Sequence, residues 1–132
     1  MDTALRTALI EHLRADAALM EALNLVDEAE IERASTPWLA LVASASVDWS
    51  TKTHAGREVR VALELRLHGG EAASGADLAE QVDARALALP AEQEGFRVVS
   101  ASFLRGRAER RPHNARAILR EYRFRILETT QP

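Results

Sequence analysis

The sequence predicts an α+β domain: a four-stranded, mostly antiparallel sheet in the element order α-β-β-α-β-β, with both helices packed on one face. Three observations carry this. Leu5, Leu9, Leu13, Ala17 and Met20 recur at spacings of three and four, which gives a helix one apolar stripe. Val59, Val61, Leu63, Leu65 and Leu67 alternate with Arg60, Ala62, Glu64, Arg66 and His68, the period of a half-buried strand. A second helical run lies between two candidate hairpins. The length of 132 residues suits one domain spanning residues 1–132.

The elements follow in order. The first helix is expected over Thr3–Leu23, with Asp2 or Thr3 available to cap it and Asn24 to stop it. Arg6, Glu11, Arg14 and Glu21 fall off its apolar stripe. The polar segment "VDEAEIERASTP", Val26 to Pro37, reads as a connection. "WLALVASASVDW" is the first strand, Trp38 to Trp49, and "STKTHAG" is a loop in which Gly56 supplies turn freedom. Arg57–His68 is the second strand, ended by Gly69-Gly70. The second helix runs Ser74–Leu89 on a stripe of Leu78, Val82, Arg85 and Leu89, with Pro90 beyond it. Phe96–Arg105 and Arg116–Leu127 are the last two strands. "GRAERRPHN" is the loop between them, with Gly106, Pro112 and Asn114 as turn residues. In the last strand Ile118, Tyr122, Phe124 and Ile126 share one parity. The face away from the helices is expected to carry Arg60, Glu64, Arg66, Arg123 and Arg125.

Composition narrows the function classes. Hydrophobic residues make up 47% and charged residues 28%, an ordinary globular balance. The formal net charge of -3 favours no nucleic-acid partner, but the charge is segregated. Asp16, Glu21, Asp27, Glu28, Glu30 and Glu32 make the N-terminal third acidic, and the region from Arg97 to Arg125 is rich in arginine. Two unlike ends allow head-to-tail association of copies. There is no cysteine, so neither a disulfide framework nor a thiolate site exists. The N-terminal helix is interrupted by Glu11, His12 and Arg14, unlike a signal peptide, and no run approaches the roughly 20 apolar residues of a membrane span. The expectation is a soluble protein made in the cytoplasm, with no membrane partner.

Catalytic patterns are not found. His12, His54, His68 and His113 show no metal-ligand spacing. Gly69-Gly70 and Gly75 do not make a phosphate-binding loop. Ser44, Ser46, Ser50, Ser100 and Ser102 lack a nucleophile elbow. Glu64 and Asp48 could be sheet neighbours, but alternating charge on a strand is ordinarily a solvated or subunit-facing surface. No enzyme activity, metal or cofactor is expected. Two loops remain. "RGRAERRPHNAR" concentrates Arg105, Arg107, Arg110, Arg111 and Arg116 in a hairpin tip, suited to solvent, an acidic surface or a phosphate backbone. "STKTHAG" sets Lys52, His54 and, just beyond it, Arg57 beside Trp49, a flexible hairpin or an interface anchor.

Several stretches together are similar to a known family. They are "LRADAALMEAL", a strand ending "DWSTK", then "GREVRVALELRLH", the helix "ADLAEQVDARAL" and the closing "FLRGRAERRPHNARAILREYRFRILE". The chain resembles phage tail-completion, tail-terminator and head–tail joining proteins, which also occur in prophages and in gene transfer agents. The resemblance covers about Thr3 to Glu128, and the segment Asp27 to Ser35 fits it less well. It implies a structural virion protein, without cofactor. Such a protein forms a ring of copies, typically six, that caps the tail tube, ends its polymerisation and presents a surface to the head connector. The implied partners are further copies of the chain, the tube protein and a connector or stopper, with passing contact to DNA in the lumen. The candidate contact residues are then Trp49, Lys52, His54 and Arg57 on the first loop, Arg60, Glu64 and Arg66 on the charged sheet face, and Arg105, Arg107, Arg110, Arg111 and Arg116 on the basic hairpin. The alternative is a nucleic-acid-binding module using the basic 105–116 hairpin. Against it, the sheet face offers charges, and most of the aromatics that would stack bases read as core.

Overall fold

The computed structural model describes residues 1–28 and 34–129. Its elements are α1 (Asp2–Arg14), α2 (Ala17–Ala22), β1 (Leu25–Asp27), β2 (Trp38–Asp48), β3 (Gly56–His68), a 3-10 turn (Gly69–Glu71), α3 (Ala72–Leu87), β4 (Glu92–Gln93), β5 (Phe96–Arg111) and β6 (Ala115–Glu128). The expectation of a four-stranded sheet is overturned. The sheet has six strands in the order β1-β2-β3-β6-β5-β4, and it is mixed, because β1 runs parallel to β2. The four long strands are joined antiparallel, and β1 and β4 extend the sheet at its two sides. Strands of three and two residues are too short to show a period of two, so sequence patterning passes over them.

The sheet also curls into a half-barrel. Register shifts fall between Leu41 and Ala43, Val98 and Ser100, and Phe103 and Arg105. Each shift inserts a residue on one strand, which bends that strand and increases its twist.

The expected first helix is two helices. The chain breaks at Ala15-Asp16, and the Asp16 carboxylate accepts from the backbone N–H of Leu19 at 3.2 Å, capping α2. Asn24 stops α2 through its fold-back: its backbone N–H donates to the Pro37 carbonyl, and its side-chain amide donates to the Ser35 and Thr36 carbonyls. The segment expected to be a connection, Val26 to Pro37, therefore opens in β1, and its residues 29–33 lie outside the described residues. The basic loop 106–114 is also corrected. Gly106–Arg111 continue β5, and the turn is only Pro112–Asn114.

The core lies between the helices and one face of the sheet. Leu5, Leu9 and Leu13 of α1 and Leu78, Val82 and Ala86 of α3 meet Val59, Val61, Leu63 and Leu65 of β3 and Tyr122, Phe124 and Ile126 of β6. Burying one such aliphatic side chain contributes about 1.5–3 kcal/mol. Two polar devices hold the helices. The His12 Nε2 donates to the Arg85 carbonyl and the Arg85 Nε donates to the His12 carbonyl, both at 2.8 Å, so each helix satisfies an end carbonyl of the other. Asp83 of α3 accepts from Tyr122 Oη at 2.5 Å and from both Nε and Nη2 of Arg120, tying α3 to β6. Burial, with that Asp83 bond, drives the Tyr122 phenol far above its ordinary range, so it stays a proton donor.

Two tests follow from this packing. A Cβ on Gly56 would stand 2.4 Å from the Trp49 carbonyl oxygen and 2.9 Å from that of Ile126, both fixed backbone atoms. Gly56→Ala is expected to cost roughly 1–3 kcal/mol, read in urea unfolding, by prising apart the base of the β2–β3 hairpin. His12 is held below its ordinary value of 6.5, first by burial and then by the Arg85 guanidinium. The unfolded chain takes up that proton more readily than the folded one. Its neutral-state contribution is complete above 6.5 and declines as pH falls through 6.5 toward the depressed value. Unfolding midpoints from about pH 7 to 5 are expected to drop further for the natural protein than for His12→Gln, whose amide keeps the donor without titrating.

Candidate functional site

The face of the sheet turned away from the helices is the most distinctive surface of the molecule. Strict alternation in β3 puts Glu58, Arg60, Glu64 and Arg66 there. Their partners in β6 and β5 bring Arg123, Arg125 and Glu121 and then Arg105, Arg107, Glu109 and Arg111 to the same side. The carboxylates are shared among guanidiniums. Glu64 accepts from Arg66 at 2.9 Å and from Arg111 at 3.4 Å. Glu109 pairs with Arg111 and, at 2.7 Å, with Arg107. Glu121 takes Arg105 at 2.5 Å, and Glu58 takes Arg125 at 3.1 Å with Arg60 and Arg123 farther out. The four named carboxylates face seven named arginines, so this face carries a positive excess.

The hydrogen bond from Arg111 holds the Glu109 carboxyl below the usual carboxylate range, and the bond to Glu121 raises Arg105. Both groups stay charged across neutral pH. Between these side chains lies an open trough of about 500 Å³, with Ala43, Ala45 and Ala62 on its floor and Arg60, Arg105 and Glu121 at its sides.

The two loops singled out in the sequence lie at opposite ends of this face. β2 rises from Trp38 to Asp48 and β6 rises beside β3, while β3 and β5 descend. The Trp49–Ala55 loop is therefore at one end and the Pro112–Asn114 turn at the other. Trp49 is half-buried, with the Arg125 guanidinium 5.6 Å from its ring centroid. Lys52 and His54 are exposed on a tip closed by its own bonds: the Thr51 N–H donates to the His54 carbonyl at 2.9 Å, and Gly56 N–H to Ser50 Oγ at 3.0 Å. Arg57 is exposed at the start of β3, opposite Asp48.

The five arginines of the basic hairpin separate. Arg105, Arg107 and Arg111 join the ion-paired face. Arg110 and Arg116 sit directly opposite each other on the other face, both exposed, with no ion pair among the described residues. Sequence reading also missed Glu58, Glu109 and Glu121 as the anions that organise the arginines. The period-two spacing of Arg105, Arg107, Glu109 and Arg111 was the available signal.

Among the described residues no group of three His, Asp or Glu side chains could hold a metal ion, and no helix is long and apolar enough to cross a membrane. The arrangement is suited to contact: ordered, multiply shared charges with a shallow apolar floor and a closed polar tip at each end.

Residues 7–127 match the model of the family described as tail completion protein gp17. No curated protein matches the chain. Among solved structures, a chain from the virion of a native gene transfer agent particle is similar with a TM-score of 0.78 and 26% identity, over 95% of this chain and 96% of that one. The gp17 protein of bacteriophage SPP1 shares the fold at a TM-score of 0.52 and 19% identity, over 98% of this chain and 91% of that one.

Glu64 is nearly buried, and its two arginine partners are mostly covered. Glu64→Gln is expected to lower unfolding stability by roughly 1–3 kcal/mol by leaving Arg66 without an anion and Arg111 with Glu109 alone, whereas Glu121→Gln, at a more exposed pair, is expected to cost under about 1 kcal/mol. Parallel urea titrations read both.

Proposed function

Because the chain belongs to the tail completion protein gp17 family, we propose that it is a structural component of a phage or phage-like particle, made in the bacterial cytoplasm and placed at the head-proximal end of the tail. Copies of it form a ring, typically of six, that caps the tail tube, stops further addition of tube protein and presents a surface to the head connector or stopper. The 26% identical chain that belongs to a gene transfer agent virion, matched along nearly its whole length, supports a place in such a particle.

One observation carries the reading: the two polar tips stand at opposite ends of the sheet, with the charged face between them. A capping ring needs two different axial surfaces, one toward the tube and one toward the head. The Trp49–Ala55 loop, with Trp49, Lys52, His54 and Arg57, supplies one. The Pro112–Asn114 turn, with Arg110 and Arg116, supplies the other. The charged face, with Arg60, Glu64, Arg66, Arg105, Arg107 and Arg111, borders a neighbouring copy or the lumen.

Shared ion pairs weigh against the alternative of a nucleic-acid module. A side chain already bound to Glu64, Glu109 or Glu121 is less available to phosphates, and passing DNA is better served by weak contact. Electron microscopy of particles made without this protein is expected to show overlong or headless tails. Normal tails joined to heads would sink the reading. The triple variant of Arg107, Arg110 and Arg111 to Ala is expected to fold normally and to lose incorporation into particles. If it instead incorporates normally while its DNA affinity and salt slope fall, the nucleic-acid module is the better account.

A further inference from the structure

Among the described residues the sheet ends in two long strand edges with no pairing strand. β1 pairs only with Trp38–Ala40 of β2, so no described strand pairs with Leu41–Asp48 on that side, where only the side chains of Arg6 and Asp2 reach Ser44 and Ser46. β4 pairs only with Phe96–Arg97 of β5, and beyond the bond from Val98 N–H to the Ala91 carbonyl no described residue covers that edge as far as Arg111. Free edges are ordinarily blunted by Lys, Pro, short length, charge or bulges. β2 carries one bulge and ends in Asp48, and β5 carries two bulges and arginines from Arg105 onward, but neither free part holds Lys or Pro and both are long. The free part of β2 opens "LVASASV" and that of β5 opens "VVSASF", both uncharged, with Val47 at 59%, Val99 at 47% and Phe103 at 40% exposure.

The two edges are also opposite in charge and in direction. Asp2, Glu28 and Asp48 outnumber Arg6 beside the β2 edge, and Arg97, Arg105, Arg107, Arg110 and Arg111 outnumber Glu92 and Glu109 along β5, so each edge keeps a net charge after its internal ion pairs. β2 rises where β5 descends. Two copies related by a rotation about an axis along the strands would therefore bring β2 of one against β5 of the next in antiparallel order.

We propose that β2 and β5 of successive copies pair edge to edge, making one continuous sheet around a closed assembly. The occupant of each edge is a second copy of this chain, and the contact is heterologous. This rests on the ring reading above and states how its subunits join. The row Ala45–Arg60–Arg123–Ser102 crosses the sheet within one subunit. Continued into the neighbour, it sets Ala45 beside Ser102 of the next copy, both on the charged face.

The chain has no cysteine, so introduced ones report cleanly. Within one subunit β3 and β6 separate β2 from β5 by three strand spacings, about 14 Å, beyond the roughly 7 Å a disulfide can bridge. The full chain carrying Ala45→Cys with Ser102→Cys, or with Ser100→Cys for a register two residues away, is oxidised alone at high concentration and within assembled particles. A ladder of disulfide-linked species up to the ring mass is expected, and each single-cysteine variant is expected to give none. Val47→Lys and Phe103→Lys, both exposed, are expected to abolish the oligomer and leave the circular dichroism of the monomer unchanged. Rings that form without these disulfides, or that survive both lysines, overturn the edge pairing alone. A chain that stays monomeric and never enters particles overturns the pairing and the ring reading together.

Discussion

Strand β3 has to satisfy two environments at once, and the rest of the molecule is arranged around that constraint. Its alternation buries Val59, Val61, Leu63, Leu65 and Leu67 under α1 and α3 and turns charge the other way. A slip of one residue against β6 would put Arg60 and Arg66 under the helices and the five aliphatics in water. An unpaired guanidinium in that core costs several kcal/mol, far more than any ladder bond recovers. Register is therefore fixed at the centre, and the outer strands inherit it. Tyr122 and Phe124 of β6 face the same core, and the bulges in β2 and β5 absorb the curvature that a centre of fixed pairing cannot.

The charged face is not there chiefly for stability. Exposed arginine–carboxylate pairs each contribute about 1 kcal/mol at most, and the more covered ones lose much of their attraction to desolvation. Arg66 Nε and Arg123 Nε are buried on this face with no hydrogen-bond partner, a further small cost. An alternating set of Val and Thr would hold the same strands together at less risk. What shared ion pairs supply is order: Glu58, Glu64 and Glu109 each fix more than one arginine, so the surface meets a partner with little side-chain freedom left to lose. That is a property of a contact surface.

Legibility in the sequence tracks how strongly one environment acts on each residue. β3 and β6 were readable because a single buried face imposes period two on long strands. The helix break was harder. The leucine spacing continues across Ala15-Asp16 as though the helix did, and only the Asp16 side chain in a capping position marks the restart. β1 and β4 were invisible, since three and two residues carry no period, and the sheet was undercounted as a result. The basic hairpin was misread for a different reason. Its open-face residues alternate, but the other parity is Gly106, Ala108 and Arg110, all exposed and with no apolar stripe. The candidate contact residues stand out in the sequence by type, Trp, Lys, His and Arg, while their division between two ends and one face needs the strand directions.

The far tip shows how local backbone chemistry permits a charge arrangement that packing alone would oppose. Arg110 and Arg116 are cross-strand partners, and like charges directly opposed in a sheet are unfavourable. The hairpin closes over them because His113 and Asn114 both adopt positive φ, 63° and 61°, with the Ala115 N–H returning to the Pro112 carbonyl. That is a turn whose twist matches the twist of the strands it joins, and Asn tolerates the left-handed region better than most side chains. The Asn114 carbonyl also accepts from the Gly69 N–H at 2.8 Å, pinning the turn to the end of β3. The tip is thus held by its backbone, independently of its side chains. Two guanidiniums with no ion pair among the described residues can then be displayed at one end of the molecule without opening the strands.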